Sequence, residues 1–130
     1  MIEELQAAML EMPQAECKTV HTFCSGVYAR EMFIPKGVCL VGAKHKTEFF
    51  ITISKGRCVI KDGDREQIFS APYTGISKVG AKRAILAIED TIITGFHPTD
   101  KTDITEIQRD IIEDEGLKIA NNHGSKLVCG

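Results

Sequence analysis

What most constrains this chain is a succession of short β-forming segments divided by turn residues. KTVHTFC, VYAREMFI, HKTEFFITIS, RCVIK, QIFSAP and AILAIEDTIITGF follow one another, each rich in β-branched and aromatic residues. Between them stand Ser25-Gly26, Pro35-Lys36-Gly37, Lys55-Gly56, Asp62-Gly63-Asp64 and Pro72-Tyr73-Thr74-Gly75. Asp62-Gly63 is the clearest hairpin signal among these turns. Six or more short strands at close spacing, with no alternation of strand and helix, predict a β-sandwich or small barrel and not a parallel sheet. With 130 residues the chain has room for one such domain and a real core, not for two.

Helical patterns flank the β region. Ile2, Leu5, Ala8, Met9 and Met12 share one side of a helix that Pro13 stops, giving a first segment over residues 1–16. After His97-Pro98 the 3.6-residue period returns over residues 99–116. Thr102 or Asp103 caps this helix, Glu106 completes a capping box with Asp103, Ile104, Ile107, Ile111 and Ile112 form its apolar stripe, and Gly116 ends it. The tail, residues 117–130, mixes turn residues with two small apolar clusters. It reads as disordered or ordered only by a partner, with a strand paired to a neighbouring subunit as the alternative.

Composition sets aside several classes of partner. The net charge is -2 and charged residues make up 26%, so there is no bulk attraction to nucleic-acid polymers or to anionic membranes, and any anion site must be local. No apolar run approaches a membrane span, and the start MIEELQAAML carries acids where a secretion signal carries bases, so the expected location is the cytoplasm, the host's if the chain is phage-encoded. Cys17, Cys24, Cys39, Cys58 and Cys129 are odd in number and form no Cys-x-x-Cys pair, which fits reduced packing residues. Phosphate-loop, serine-elbow and His-Glu-x-x-His motifs are absent from the sequence.

One stretch, GVCLVGAKHKTEFFITISKG at residues 37–56, carries a more particular pattern. Two glycines frame a strand on which residues two and four apart share a face, the arrangement that lets three side chains converge inside a barrel. The inward positions are Ala43, His45 and Phe49. Together with MPQAEC, GVYAREMFIPKG, HKTE and HPTD, this stretch resembles the cupins, and more closely the small single-domain cupin-like proteins of bacteriophages. The resemblance covers about residues 17–98. It implies a single cupin-like β-barrel, a double-stranded β-helix or jelly roll, with a helix before it and one after.

In cupins the motif places two histidines and a glutamate on a metal; here a metal role carries over to His45 at most, with Glu48 off register. The second cupin motif falls on Lys78, Gly80, Arg83 and Ala87, its histidine replaced by arginine. No cofactor is therefore expected. The resemblance also implies self-association, as a dimer or higher oligomer through the outer sheets and terminal helices.

Three groups of residues bear on chemistry. Alternation from His45 sends Thr47, Phe49, Ile51 and Ile53 inward and Lys44, Lys46 and Glu48 outward. His45 then reads as a hydrogen-bonded pocket histidine, a ligand contact or an acid-base group. Around Gly80, Lys78 and Lys82 accompany Arg83, whose planar guanidinium suits an anion if it faces inward and otherwise pairs with an acid such as Glu48 or Glu89. Tyr28, Arg30, Met32 and Ile34 share one strand face, where tyrosine and arginine serve a nucleotide pocket or a subunit interface. His21 and His97, near strand ends, read as structural.

The expected function is non-catalytic binding of a small anionic ligand by Tyr28, Arg30, Lys44, His45, Lys46, Lys82 and Arg83. One biological form is a phage sponge that sequesters a cyclic nucleotide immune signal. The alternatives are a metal-dependent dioxygenase or isomerase built from His45, Glu48 and His21 or His97, and a structural module whose pocket Phe49 fills.

Overall fold

A computed structural model describes residues 17–113, the strand at 127–129, and Glu4, Ala7 and Ala8. The strands are β1 (Thr19–Cys24), β2 (Val27–Ile34), β3 (Cys39–Val41), β4 (Phe49–Lys55), β5 (Arg57–Asp62), β6 (Arg65–Ser70), β7 (Tyr73–Ser77), β8 (Arg83–Ala87), β9 (Thr91–Pro98) and β10 (Leu127–Cys129). One helix, α1 (Ile104–Ile111), follows β9. The strands form two five-stranded sheets, in the orders β1-β2-β9-β4-β7 and β10-β3-β8-β5-β6. Every pairing is antiparallel.

Side-chain alternation explains why these segments are strands. In β2, Tyr28, Met32 and Ile34 are buried while Val27 and Glu31 are exposed. In β4, Ile53 is buried and Phe50 is 55% exposed, so one face meets the core and the other meets solvent. The inner faces pack Ile34, Leu40, Ile53, Cys58 and Ala87 into the main core, each at 1% exposure or less. Cys17 and Cys58 are core residues, whereas Cys24 is exposed.

The two sheets form the expected jelly roll, and no ladder joins them among the described residues, so the barrel is not closed. Where the chain crosses from β6 to β7 it passes through Ala71-Pro72, a cis peptide, and extends neither sheet. Proline has no N–H to give to a ladder, so this crossing leaves β6 and β7 as facing edges.

Strand β4 begins at Phe49 and not at His45. His45 instead forms a bridge with Ile112, and Lys46 N donates to Ile111 O at 2.7 Å, so residues 45–48 bend and Glu48 is exposed.

Helix α1 starts where the capping signals place it: the Asp103 carboxylate accepts from the Thr105 and Glu106 amides. It ends at Ile111, short of Gly116, because Ile112 is drawn into the bridge with His45 and the Glu113 amide donates to Lys44 O. Ile107, Ile111 and Ile112 pack on Tyr28 and Ala43 as a second, smaller core at one end of the sandwich. Residues 127–129 pair with β3 of the same chain, where the sequence pointed to disorder or a neighbouring subunit. The expected first helix lies outside the described residues, apart from Glu4, Ala7 and Ala8.

Candidate ligand-binding site

Between the two sheets lies a cavity of about 100 Å³. The first sheet supplies Arg30 from β2, Phe49 and Ile51 from β4, Ser77 from β7, and Ile93, Gly95 and His97 from β9. The facing sheet supplies Leu40, Ile60, Arg83 and Ile85, and the bend before β4 supplies Gly42, Ala43 and His45. Register places Arg30 opposite Gly95, and Gly95 opposite Ile51, so one row across the first sheet presents a cation, a gap and an apolar side chain.

Aromatic rings fill one side of this space. His97 stacks on His45 with centroids 5.9 Å apart and lies 4.2 Å from the Phe49 ring. His45 and Phe49 are 4.6 Å apart, and Tyr28 stacks behind His97 at 5.8 Å. Gly95 makes the cluster fit. A Cβ there would stand 3.1 Å from His97 Nε2 and 3.3 Å from Phe49 Cε2.

Burial and charge keep both imidazoles neutral. Burial lowers the His45 pKa to about 4, with the Arg30 and Arg83 cations adding to the effect and a hydrogen bond donated by the ring to the Ala43 backbone carbonyl opposing it. His97 is lowered to about 3, again first by burial and then by His45 and Arg30. His97 Nδ1 is buried with no hydrogen-bond partner among the described residues.

The two cavity arginines differ. Arg83 Nη1 donates to Ser77 Oγ at 2.7 Å, and its Nε lies 3.5 Å from Asp62 Oδ2. Its acidic partner is thus Asp62, not Glu48 or Glu89; Glu89 sits 3.9 Å from Arg57. Arg30 makes no ion pair or side-chain hydrogen bond among the described residues, and burial lowers its pKa from the usual arginine value.

Of the residues singled out in the sequence, Arg30, His45 and Arg83 come together at the cavity. The others lie elsewhere. Tyr28 is buried behind His97, its hydroxyl 2.6 Å from His21 Nδ1. Lys44 lies 3.8 Å from Glu113, Lys46 Nζ donates to Arg109 O at 2.7 Å, and Lys82 is half-buried outside the lining. Tyr28, Lys44 and Lys46 are set apart because the bend at 45–48 turns toward α1 and the Tyr28 face is covered by the same helix.

Of the polar lining residues, the sequence reading passes over Ser77 and takes His97 as structural, or as a metal ligand in the alternative reading. Parity from Ile93 through Gly95 to His97 signals an inward histidine, but the following Pro98 made it read as a turn residue.

The donor set does not fit a metal held by three protein ligands. Among the described residues no three of His, Cys, Asp and Glu gather around one point. His21 is engaged with Tyr28, and Glu48 faces solvent.

No protein-family profile matches the chain, and no curated protein matches it by sequence. Known structures do match, and they have the cupin fold. A cupin superfamily protein from Desulfitobacterium hafniense superposes with a TM-score of 0.56 at 12% identity, over 72% of this chain and 87% of that one. The cupin domain of Schizosaccharomyces pombe Cnp3 gives 0.55 at 16% identity, over 78% and 71%. Salicylate 1,2-dioxygenase from Pseudoaminobacter salicylatoxidans gives 0.61 at 9% identity, over 87% of this chain but 34% of the enzyme. At such identities the likeness is one of fold: this chain is a cupin-like jelly roll. No helix of the described residues is long and apolar enough to cross a membrane.

Proposed function

We propose that this protein binds a small organic anion with an apolar body, without chemical turnover. The observation that carries this reading is Arg30, an arginine lining an apolar cavity with no acid paired to it among the described residues. Such a cation is costly to desolvate, and a bound carboxylate or phosphate repays that cost through paired, charge-assisted hydrogen bonds. Leu40, Ile51, Ile60, Ile85 and Ile93 provide the apolar walls that the rest of the ligand touches.

The histidines fit a binding role better than a catalytic one. An imidazole with a pKa of about 4 or about 3 is a weak base at neutral pH, whereas a neutral ring still donates and accepts hydrogen bonds. His97 Nδ1, buried and unpartnered, is a group that a ligand can satisfy.

The cavity of about 100 Å³ argues for a small organic acid over a cyclic nucleotide. A phage sponge for a nucleotide signal is the larger-ligand form of the same reading, with phosphate in place of carboxylate on Arg30. Calorimetric titration with a panel of small carboxylates, inorganic phosphate and cyclic nucleotides tests both. One-to-one binding of a carboxylate, weakened at least about tenfold in Arg30→Met, is the expected result. A protein that binds none of these anions is not an anion-binding protein.

A further inference from the structure

Beside the cavity, between the facing edge strands β6 and β7, a second hollow of about 150 Å³ is lined by Asp62, Arg65, Gln67, Phe69, Tyr73 and Ile76. Asp62, Arg65, Gln67 and Ile76 are exposed, so this hollow opens to solvent. Ile51, Ile60 and Arg83 line both spaces. Arg83 stands between them, bonded to Ser77 on the cavity side and paired with Asp62 on the outer side. Tyr73 is held in the hollow by Gly75, because a Cβ at that position would run into the Tyr73 hydroxyl.

The two compartments differ in kind. The inner one is apolar apart from Arg30, Arg83, Ser77 and the two neutral imidazoles. The outer one holds polar groups, among which Arg65 makes no ion pair or side-chain hydrogen bond with the described residues. Against Arg65 and Arg83 stands one acid, Asp62, so the hollow carries an excess of one positive charge. The Arg83–Asp62 contact is 3.5 Å long and the Asp62 side chain is 50% exposed, which makes it an ion pair that an incoming carboxylate can displace.

We infer that the ligand is a linear dianion of the dicarboxylate class, with one carboxylate on Arg30 in the cavity and the other on Arg65 and Arg83 in the outer hollow. Its apolar spacer passes Ile51 and Ile60, the side chains common to both compartments. The Gln67 amide and the Tyr73 hydroxyl add neutral donors at the outer end. The inference rests on the anion-binding reading above and specifies the ligand for that same site.

Chain-length-matched probes test it. Calorimetric titration would compare butyrate with succinate, hexanoate with adipate, and octanoate with suberate, with 6-aminohexanoate as the probe whose far end is cationic. At the length that spans the two compartments, the diacid is expected to bind at least about tenfold more tightly than its monoacid, the worth of one charge-assisted contact. In Arg65→Gln that ratio falls toward one, and because Arg65 is exposed at the hairpin end the fold tolerates the change. Equal affinities for monoacid and diacid at every length overturn the inference while leaving the anion reading standing. So does tighter binding of 6-aminohexanoate than of adipate. Binding of none of the probes removes both.

Discussion

At the scale of single residues, Arg30 sets affinity against stability. A partly desolvated cation without a carboxylate destabilises the empty protein, and its replacement by an apolar side chain of similar length relieves that cost. Arg30→Met is therefore expected to weaken carboxylate binding by about ten- to a hundredfold, the range for a hydrogen bond to a charged group. In the same variant the thermal midpoint should hold or rise, by an amount corresponding to about 1 kcal/mol. Calorimetry and thermal unfolding on one preparation check both, and a lower midpoint with unchanged affinity would show that Arg30 is structural. Gly95 acts through space alone. Alanine there brings a Cβ within 3.1 Å of His97 and 3.3 Å of Phe49, so the rings must move into the cavity or the sheet must shift. Gly95→Ala is expected to cost about 1–3 kcal/mol in denaturant unfolding, as overpacking does, and to reduce ligand binding.

At the scale of elements, the turns carried most of the readable information. Gly26, Gly37, Gly56 and Gly63 all adopt positive φ in the turns where the sequence placed breaks, and the Asp62-Gly63 hairpin joins β5 to β6, whereas Tyr73, Thr74 and Gly75, expected in a turn, open strand β7. Gly56 is the most demanding of them. At φ +86 its Cβ would meet the Asp90 carbonyl and stand 2.8 Å from Thr91 Oγ1, so Gly56→Ala adds a backbone clash to left-handed strain. We expect it to destabilise by more than about 2 kcal/mol, or to give insoluble protein, whereas Gly63→Ala, with nothing within 4 Å of its Cβ, should cost markedly less. Similar losses in the two variants, measured as denaturation midpoints, would sink this account.

Alternation likewise placed Ile51 and Ile53 on an inner face and set Arg30 on one face with Met32 and Ile34, while it left the direction of Arg83 open. The bend at 45–48 escaped the sequence because its cause is distant: the bridge between His45 and Ile112 depends on where α1 docks, and nothing local to HKTE encodes that. The pairing of Arg83 with Asp62, and the lack of an acid paired with Arg30 among the described residues, were hidden for the same reason. Parity says which way a side chain points, while its partners come from strands brought alongside by the fold.

At the scale of the whole molecule, the two cavity histidines tie folding to pH. An exposed histidine in the unfolded chain has a pKa near 6.5, whereas His45 and His97 in the folded protein are lowered to about 4 and about 3. Between those values the unfolded state takes up protons that the folded state refuses, so the contribution of the two neutral rings is complete above about pH 6.5 and is lost as the pH falls toward 4. The slope is up to about 1.4 kcal/mol per pH unit for each histidine. Denaturant unfolding at pH 7.5, 6 and 5 should show a steep fall, and a His45→Asn, His97→Asn double variant should be less stable at pH 7.5 yet show a shallower slope. His45 or His97 imidazole resonances that titrate near 6.5 in the folded protein would contradict this linkage. A bound anion changes the balance in a known direction: its charge offsets the Arg30 and Arg83 cations that help to depress His45, so its pKa rises in the complex. A saturating dicarboxylate should therefore restore part of the stability lost between pH 6 and pH 5, and should do so less in Arg30→Met.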